Sequence, residues 1–510
     1  MNPIELGIFS SRIEAVCDEM GAVLRRSAFS PNIRDRLDFS CAVFDAAGEL
    51  VAQAAHIPVH LGSMAYAMRD IVRRLEWAEG DMVIVNDPFL GGTHLPDVTL
   101  IAPVYVGGTR VGFVANRAHH ADIGAVTPGS MPLSSTLEEE GVVISPVHLY
   151  RQGQLDQALM ADITGRMRSP RQAAGDFAAQ ASSARSGVRR LQTLVEAQGV
   201  TGYRVAVKAL NDYGERLARA ALATLPIGRY RFIDVLDDDG QGREDLAIQV
   251  EIDVTGQDIV VDFDGTAAQT RGNLNCPLSV AAAAVYYVFR CLMPEQTPAC
   301  AGTFRPIRLR APEGTLVNAN APAAVAAGNV ETSTRIVDVV LGCLAQAAPE
   351  RIPAASQGSM NNLAFGAPAG EPAWDYYETL AGGMGAGPQG GGLSAVHTHM
   401  TNTLNTPVEV LEMSYPMRIR RYAVRRGSGG QGKYPGGEGI VREYEFLAPA
   451  VVTILSERRR HTPWGLAGGE AGQAGCNRLN GESLPGKLTR TVVAGDLLTV
   501  ETPGGGAYGR

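Results

Sequence analysis

Histidine and aspartate side chains are concentrated in two short stretches of the chain, residues 93–97 and 117–122. Together these stretches hold five groups that can bind a metal ion: His94, Asp97, His119, His120 and Asp122. Imidazole and carboxylate groups in combination are typical of Zn, Mn and Fe sites that keep one coordination position open for water. An ion bound there would polarise a carbonyl group and lower the pKa of a bound water, which is the chemistry that amide hydrolysis requires.

Two predicted strands bring these stretches together. Residues 98–106 and 110–117 have strand-like patterns, and the Gly107-Gly108 pair between them is typical of a two-residue hairpin turn, because both positions can adopt positive φ. If the two glycines form the centre of the turn, residues whose numbers add up to 215 face each other, so that Asp97 lies opposite Ala118. The sequence therefore predicts that the five groups converge at the open end of one hairpin.

The five groups also have an interpretation without a metal, in which polar side chains at strand ends satisfy one another by hydrogen bonds. Within the metal interpretation, the adjacent His119 and His120 point to opposite faces if the strand persists. Only one of them is then expected to be a direct ligand, and the other could act as a base or as a hydrogen-bond donor to an oxyanion.

His397 and His399 form a second candidate site. In a strand, a His-x-His sequence places both rings on one face, which is a common geometry for metal ligands. The alternative is that these rings only orient the polar side chains that follow them in the chain. The sequence leaves both interpretations open.

Nucleotide-binding motifs are absent or incomplete. No P-loop sequence G-x-x-x-x-G-K-[ST] occurs in the chain. Residues 385–390, GAGPQG, formally match G-x-G-x-x-G, but they contain a proline and are followed by no clear helical pattern. The sequence therefore shows no P-loop and does not support a Rossmann-type nucleotide site.

The composition limits the expected partners and location. The 510 residues include 45 basic and 53 acidic side chains, which gives a formal net charge of −8. Nucleic acids and anionic membranes are bound by basic surfaces, so neither is an expected partner. The seven cysteines form no Cys-x-x-Cys pair, the N-terminus lacks a signal-peptide pattern, and no apolar run is long enough to span a bilayer. We therefore expect a soluble, cytoplasmic protein with reduced thiols.

The hydrophobic patterns predict a mixed α+β fold with antiparallel hairpins and amphipathic helices. The pattern predicts helices over residues 3–28, 61–77, 170–224 (split at Gly199–Gly202), 277–293 and 331–348. It predicts strands over residues 37–45 and 82–85, an antiparallel meander over residues 228–264, and a Gly-rich, strand-rich part after about Trp374. The expected regions are a metal-site N-terminal region (1–225), a β-meander with helices (226–350) and a Gly-rich, strand-rich C-terminal region (351–510).

Eight ordered stretches of the chain resemble the hydantoinase B/oxoprolinase family. They begin at Ser30 (SPNIRDRLDFSCAVFD), Asn86 (NDPFLGGTHLPDVTLIAPV), Asn116 (NRAHHADIG), Gly272 (GNLNCPLSVAAAAVYY), Gly328 (GNVETSTRIVD), Tyr377 (YETLAGGMGAG), His397 (HTHMTNTLNTPVEVLE) and Pro463 (PWGLAGG). They recur in order over nearly the whole chain, which makes a chance match implausible. One departure is Gln389-Gly390, where relatives often carry Asp-Gly before the histidine pair.

The resemblance implies a large, multi-lobed fold and a division of labour between two subunits. The family includes B subunits of ATP-dependent N-methylhydantoinase and caprolactamase, and it is related to the large subunits of acetone and acetophenone carboxylases. It implies that a hydantoinase A-like partner binds ATP and phosphorylates a small substrate, while this chain binds a divalent ion (Zn, Mn, Fe or Mg) and completes the reaction. The implied metal ligands are His94, Asp97 and His119.

The resemblance also suggests roles for other residues around this site. Asp38 is implied as a fourth ligand or as the base that activates water, and His120 or Asp122 could move protons. The favoured function is ATP-dependent ring opening of a hydantoin, 5-oxoproline or lactam within a hetero-oligomer. Two alternatives stay open: a subunit of an ATP-dependent ketone carboxylase, whose members are longer chains, and a non-enzymatic scaffold.

Overall fold

A computed structural model describes residues 1–54 and 56–510 of the chain, and these residues form a mixed α+β fold. The helices are α1 (Pro3–Ser27), α2 (Pro31–Arg34), α3 (Pro58–Arg74), α4 (Gln157–Gly165), α5 (Pro170–Leu222), α6 (Leu278–Cys291), α7 (Ala301–Phe304), α8 (Ser333–Leu344) and α9 (Val408–Ser414). One π-helical turn covers Gly328–Thr332. The fold class predicted from the sequence is confirmed.

The strands form four sheets within the described residues. The strands are β1 (Phe39–Asp45), β2 (Leu50–Gln53), β3 (Met82–Val85), β4 (Asp97–Val106), β5 (Thr109–His119), β6 (Val147–Arg151), β7 (Gln154–Leu155), β8 (Gly228–Asp238), β9 (Glu244–Val254), β10 (Ile259–Asp262), β11 (Ile307–Arg310), β12 (Asn362–Gly366), β13 (Asp375–Glu378), β14 (Met417–Arg425), β15 (Gly439–Phe446), β16 (Ala450–Leu455), β17 (Cys476–Leu479), β18 (Glu482–Leu484), β19 (Lys487–Val492) and β20 (Leu497–Glu501). The sheet orders are β2-β1-β5-β4-β3-β6-β7, β11-β10-β9-β8, β13-β12-β16-β19 and β14-β15-β20-β17-β18.

Helix α1 has a capping box at its N-terminus and one apolar face, and both can be recognised in the sequence. Pro3 occupies the first turn, where its missing N–H costs nothing, and Asn2 and Glu5 form a reciprocal capping box with bonds of 2.9 and 3.0 Å. The buried face of the helix carries Phe9, Ile13, Val16, Met20 and Leu24, at spacings of three or four residues. The helix predicted over residues 3–28 is therefore confirmed.

The first sheet has seven strands, antiparallel throughout, with helices on both faces. Helices α1 and α5 pack on one face, where alternate β4 residues such as Val98 and Leu100 join their apolar core. Helix α3 covers the other face, on which Ile101 and Phe113 lie. Helix α5 breaks at Gly199, whose φ of 73° and ψ of 152° are not helical, as the split predicted at Gly199–Gly202 requires.

The hairpin of β4 and β5 does not keep a single register. Near the turn, Tyr105 faces Arg110, as the predicted register requires. Beyond this pair a β-bulge inserts Val111 as an extra residue on β5, so that Asp97 faces His119 and not the residue predicted. The predicted register is therefore wrong at the open end of the hairpin. The physical reason is that a bulge arises from local packing, and counting residues outward from the turn does not reveal it.

The remaining sheets form two further cores. Strands β8, β9 and β10 form the predicted antiparallel meander, and β11 joins β10 in parallel. Helix α8 packs on this sheet, and α6 packs on α8. The two C-terminal sheets enclose a core between them, in which Phe365 and Val452 of one sheet meet Tyr444 and Val500 of the other. The division of the chain at about residues 225 and 350 stays a prediction.

The sequence predicts reduced cysteines and no membrane-spanning segment. The seven cysteines are free thiols, and five of them are buried. Among the described residues, no helix has both the length and the apolar character needed to cross a membrane.

The contact between α3 and α6 requires a glycine at position 62, and this gives a test of the fold. A Cβ atom at Gly62 would lie 2.4 Å from the Cα of Ala283, a backbone atom that cannot move aside alone. We expect Gly62→Ala to lower the free energy of unfolding by about 1–3 kcal/mol through overpacking. Gly7→Ala is the matched control, because nothing lies within 4 Å of a Cβ there and alanine favours a helix by about 0.5–1 kcal/mol.

The measurement is the midpoint of thermal unfolding followed by circular dichroism. The expected order of midpoints is Gly7→Ala at or above the unmodified protein, and Gly62→Ala well below it. Equal midpoints for the two variants would contradict the close packing of α3 on α6.

Candidate metal centre

The loop between β3 and β4 is folded back on itself and so fixes the position of His94. Its first residue, Asn86, donates to the carbonyl groups of Leu95 (2.8 Å) and Val142 (2.9 Å). A Cβ at Gly92 would lie 2.1 Å from the Asn86 carbonyl oxygen, so the loop can close only with glycine at that position. The sequence NDPFLGGTH therefore forms a tight loop that places His94 just before the first residue of β4.

Three side chains converge where this loop meets the hairpin. One ligand atom from each of His94, Asp97 and His119 lies within 4.8 Å of the other two, and all three residues are buried. The bulge at Val111 produces this arrangement, because residues directly opposite each other on antiparallel strands project from the same face. We call these three residues the His/Asp cluster.

His94 is held by the segment that precedes the π-helical turn. Its Nδ1 donates to the carbonyl oxygen of Ala326 (3.1 Å), and the backbone N–H of Ala326 donates to the buried carboxylate of Glu140 (2.9 Å). A carbonyl can only accept, so the ring proton lies on Nδ1 and the Nε2 atom of a neutral ring is free to bind an ion. Burial opposes a charge on His94, but the Asp97 carboxylate outweighs it and raises the pKa of the imidazole.

His119 lies between an aromatic ring and an amide. Its ring stacks on Tyr377 at a centroid distance of 4.7 Å, with an angle of 8° between the planes. Its Nδ1 lies 3.2 Å from the side-chain amide of Asn32. Burial, followed by the nearby His94, holds the pKa of His119 well below its usual value, so the ring is neutral. The Nε2 atom is buried and has no hydrogen-bond partner.

Asp97 is fully buried and is surrounded by donors. Thr93 Oγ1 donates to its Oδ2 atom (2.6 Å), Asn329 Nδ2 donates to the same oxygen (3.2 Å), and His60 Nε2 lies 3.1 Å from Oδ1. Burial alone would raise the pKa of Asp97, but the neighbouring His60 and His94 outweigh it and hold the pKa well below its usual range. The carboxylate is therefore kept ionised although no solvent reaches it.

Asp38 borders the cluster but does not belong to it. Its carboxylate lies 4.0 Å from His60 Nε2 and 3.9 Å from the Arg36 guanidinium. Burial raises the pKa of Asp38 despite these neighbours, of which Arg36 has the larger opposing effect. The backbone carbonyl of Asp38 accepts a hydrogen bond from the His119 N–H (3.0 Å), which ties the end of β5 to the chain just before β1. Its role as a ligand or a base stays a prediction.

His120 and Asp122 lie away from the cluster, so the predicted convergence of five groups is reduced to three. His120 Nε2 contacts Gln180 of α5 at 3.0 Å, on the opposite face of the sheet from His119, as strand alternation predicts. Asp122 accepts hydrogen bonds from the backbone N–H groups of Gly124 and Ser169, both at 2.9 Å. Their part in proton transfer stays a prediction.

The second histidine pair is not in a strand. His399 has a φ of 59° within a turn, so the alternation argument for a His-x-His ligand pair does not apply. Neither His397 nor His399 belongs to a group of three metal-capable side chains among the described residues. Both histidines instead line a cavity beside α6.

Several residues that position the cluster were not evident from the sequence pattern. They are Asn32, His60, Thr93, Asn329 and Tyr377. Four of the five stand in the stretches quoted for the family resemblance. His60 was missed because the helix was predicted to start at Leu61, although Pro58 is a typical first-turn residue and α3 begins there.

The cluster fits a divalent metal ion by its donor set. Two imidazoles and a carboxylate are the ligands of open Zn, Mn and Fe sites. The Nε2 atom of His119 is buried without a hydrogen-bond partner, and Nε2 of His94 has only the Asp97 carboxylate, 3.4 Å away. An unpartnered buried nitrogen is costly unless a ligand binds to it. The Asn32 amide nitrogen faces His119 Nδ1 at 3.2 Å. Binding of an ion through His119 Nε2 requires the ring proton on Nδ1 and therefore the flipped orientation of the Asn32 amide, in which its oxygen accepts that proton.

The family model described as hydantoinase B/oxoprolinase matches residues 2–510. The 5-oxoprolinase of Dictyostelium discoideum is 37% identical over 525 residues, which include 100% of this chain and 40% of that protein. The chain thus spans about two-fifths of the length of the oxoprolinases that it matches.

Two solved structures share the fold. The ATP-dependent caprolactamase of Pseudomonas jessenii has a TM-score of 0.92 and 29% identity, and the match covers 100% of this chain and 91% of that one. The nucleotide-free acetone carboxylase has a TM-score of 0.88 and 18% identity, and the match covers 100% of this chain and 76% of that one. The second likeness concerns the fold alone.

Metal binding by purified protein tests the cluster. After removal of bound ions and titration with Zn²⁺ or Mn²⁺, we expect stoichiometric binding that His94→Ala and His119→Ala abolish. His60→Ala should weaken binding roughly 10- to 100-fold, because His60 only orients Asp97. His120→Ala is the matched control, since its ring lies on the other face of the sheet. Calorimetry and elemental analysis give the readout, and unchanged binding by His94→Ala would contradict the site.

The carboxyl group of Asp375, which lines a small cleft together with Asp122, leads to a prediction about how stability depends on pH. Burial and then the charge of Asp122 raise the pKa of Asp375 to about 7, while the Gly129 N–H and Arg168 oppose the rise only partly. The native state therefore keeps a proton that the unfolded chain loses near pH 3.8, so this carboxyl makes stability fall as pH rises from about 4 to 7. We expect Asp375→Asn to remove this fall.

The difference in unfolding free energy between Asp375→Asn and the unmodified protein should grow with pH. We expect a gain for the variant on the order of 1–3 kcal/mol at pH 8 and little or none at pH 4, measured by urea denaturation. Asp162→Asn, at an exposed carboxylate on α4, is the matched control and should show no such trend. A difference that is the same at both pH values would contradict the raised pKa.

Proposed function

The chain belongs to the hydantoinase B/oxoprolinase family, and from this premise we propose that it is the hydrolytic part of an ATP-dependent cyclic-amide hydrolase. The substrates we propose are hydantoins, 5-oxoproline or other lactams. The observation that carries the proposal is the His/Asp cluster, in which an unpartnered His119 nitrogen and a His94 nitrogen 3.4 Å from Asp97 converge on one buried carboxylate. A non-enzymatic scaffold would have no use for buried groups left in this costly state.

The proposed reaction needs an activated electrophile and a site that excludes water and carries charge. Phosphorylation of the amide oxygen by ATP releases ADP and makes the amide carbon electrophilic. One water molecule adds to this carbon as the ring C–N bond breaks, and a second water molecule releases phosphate from the resulting acyl phosphate. When bound, a divalent ion supplies the positive charge that polarises the substrate carbonyl. The burial of the cluster strengthens every electrostatic interaction within it.

We propose a different role in the reaction for each group of residues in this chain. His94, Asp97 and His119 hold the ion, and His60 together with Asn329 keeps Asp97 ionised and oriented. Asp38, 4.0 Å from His60, is the carboxylate we propose to accept the proton of the attacking water. Its raised pKa brings it closer to neutral pH than an exposed aspartate, which suits a group that must both take up and release a proton.

A separate ATP-binding partner is part of the proposal. The chain covers about two-fifths of the oxoprolinase of Dictyostelium discoideum, so that protein contains a further region that could supply the ATP chemistry. The chain covers nine-tenths of the caprolactamase chain, whose enzyme is described as ATP-dependent. The P-loop motif is absent from this chain. We therefore propose a hetero-oligomer with a hydantoinase A-like subunit.

Carboxylation of a ketone is the second candidate function. The likeness to acetone carboxylase in fold favours it, since an ion in the same cluster would stabilise an enolate oxygen as well as an amide oxygen. That match covers only 76% of the carboxylase chain, whereas 91% of the caprolactamase chain is covered. The difference in coverage favours amide hydrolysis.

Reconstitution with an ATP-binding partner tests the proposal. We expect ring opening of 5-oxoproline, hydantoin or caprolactam that depends on ATP and on a divalent ion. His94→Ala should reduce turnover at least 100-fold because the ion is lost, while its thermal unfolding midpoint confirms that it still folds. His461→Asn, at an exposed ion pair with Asp245, is the control that should retain activity.

Two results would overturn the proposal. Full ring-opening activity of His94→Ala would remove the cluster from the reaction. Consumption of a ketone that requires bicarbonate, without ring opening of any cyclic amide, would instead establish the carboxylase alternative.

A further inference from the structure

The carboxylate of Glu140 is fully buried, and the proposed function gives it no role. Glu140 is the last residue of a short 3-10 turn, Leu137–Glu140. Its Oε1 atom accepts three hydrogen bonds, from Ser134 Oγ (2.7 Å) and from the backbone N–H groups of Val325 (2.8 Å) and Ala326 (2.9 Å). Its Oε2 atom has no hydrogen-bond partner. One oxygen atom thus holds a segment that lies 185 residues further along the chain.

The segment held by this carboxylate contacts two of the three cluster residues. The carbonyl oxygen of Ala326 accepts from Nδ1 of His94 (3.1 Å), and Asn329 donates to Oδ2 of Asp97 (3.2 Å). Residues 325–329 therefore support both the imidazole and the carboxylate of the site. We call residues 325–329 the support segment.

The loop that carries His94 also determines where Glu140 lies. Asn86, at the start of that loop, donates to the carbonyl of Val142 (2.9 Å) and accepts from the N–H of Ile144 (2.6 Å). Because Val142 stands two residues after Glu140, a shift of the glutamate would move the loop as well. The contacts form a closed ring, which passes from the loop to Val142, to Glu140, to the support segment and back to His94.

The hydrogen bonds of Glu140 come from uncharged groups, namely one hydroxyl and two backbone N–H groups. Burying a carboxylate that no cation pairs with is costly, so a purely structural role would be better served by a neutral side chain. Ala326 connects this carboxylate to the ring of His94. An ion bound through His94 Nε2 would add positive charge beyond the same ring, which favours a carboxylate at this position.

We propose that Glu140 is a positioning residue, which holds the His94 ring in the tautomer and the orientation that bind a divalent ion. A carbonyl can only accept, so Ala326 keeps the ring proton on Nδ1 and leaves Nε2 for the ion. Glu140 touches neither the ion nor a substrate and acts through the support segment. The inference rests on the proposed function in one respect, that the His/Asp cluster is the ion site.

Two substitutions separate the reach of the Glu140 side chain from its charge. Glu140→Gln keeps an oxygen at the same distance from the support segment, and its amide nitrogen takes the place of the unpartnered Oε2. Glu140→Asp keeps the charge but is shorter by about 1.5 Å, so it loses the bonds to Val325 and Ala326. A positioning role predicts that Glu140→Asp is the more harmful change.

The His94 ring in the metal-free protein gives the first measurement. Histidine is labelled with ¹⁵N, and the ring signals of His94 and His119 are assigned from the spectra of His94→Ala and His119→Ala. In the unmodified protein we expect a His94 Nδ1–H proton that exchanges slowly with solvent, because it is buried and hydrogen-bonded. In Glu140→Asp it should exchange roughly 10-fold faster or more, since local opening becomes easier, while the His119 signals stay unchanged.

Ion binding by the purified chain gives the second measurement. We expect Glu140→Asp to weaken the binding of Zn²⁺ or Mn²⁺ roughly 10- to 100-fold, as the loss of a group that orients a ligand does. Glu140→Gln should keep an affinity closer to that of the unmodified protein. In the complex with the ATP-binding partner, turnover of Glu140→Asp should recover at saturating ion concentration, whereas turnover of His94→Ala should not.

Glu139→Asp is the matched control, since it is the same substitution at the preceding residue of the same turn. The side-chain hydrogen bonds of Glu139 go to Ser135 and Thr136 and not to the support segment. We expect Glu139→Asp to lower the thermal unfolding midpoint while the ion affinity and the exchange of the His94 proton stay unchanged.

The outcomes distinguish this inference from the proposed function. Failure of the unmodified chain to bind an ion would contradict the metal site, and the exchange of the His94 proton would still test Glu140. Unaltered exchange and unaltered ion affinity in Glu140→Asp would overturn the positioning role alone. Weaker ion binding in Glu140→Gln than in Glu140→Asp would overturn it as well, because charge and not reach would then be what matters.

Discussion

The carboxylate of Asp97 has no access to solvent, and the structure around it supplies every donor that it needs. Its partners come from the loop before β4 (Thr93), from helix α3 (His60) and from the π-helical turn (Asn329). Leaving a buried charge without partners costs several kcal/mol, so these three segments must assemble around Asp97 as a unit. The same requirement brings His94 and His119 to its sides. The charge of one aspartate thus links distant parts of the chain in a single site.

A single inserted residue determines which side chains share that site. Without the bulge at Val111, His119 would project from the opposite face and meet the apolar core formed with α1 and α5. With the bulge, His119 stands beside Asp97, while His120 turns to Gln180. Strand alternation places the two adjacent histidines on opposite faces. The bulge determines that His119 is the one in the cluster and His120 the one that packs on α5.

The C-terminal half of the chain completes a site whose cluster residues all lie before residue 120. Tyr377 of β13 stacks on His119, and its hydroxyl donates to Asn362, which donates in turn to the buried Glu331. The loop with Met400 and Thr403 packs on α3 and on Arg36. The site is consequently a product of the whole fold, and its geometry depends on contacts between residues more than 200 positions apart in the chain.

Much of the local structure could be read from the sequence. The apolar spacing of α1, the Gly107-Gly108 turn and the break of α5 at Gly199 each follow from rules that act over a few residues. The same holds for the types and spacing of His94, Asp97 and His119, which identified the candidate cluster. The ordered stretches placed the chain in its family, and they contain most of the residues that position the cluster, although their contacts could not be inferred.

The tertiary structure alone decided which groups meet. It excluded His120 and Asp122 from the cluster, added His60 and Asn329 as partners of Asp97, and left His397 with two shielded nitrogens beside a cavity. The reason is physical: residue type and spacing set what a side chain can do and which way a regular strand or helix points it. Register shifts and contacts between distant segments depend instead on how the whole core packs, and no short stretch of sequence carries that information.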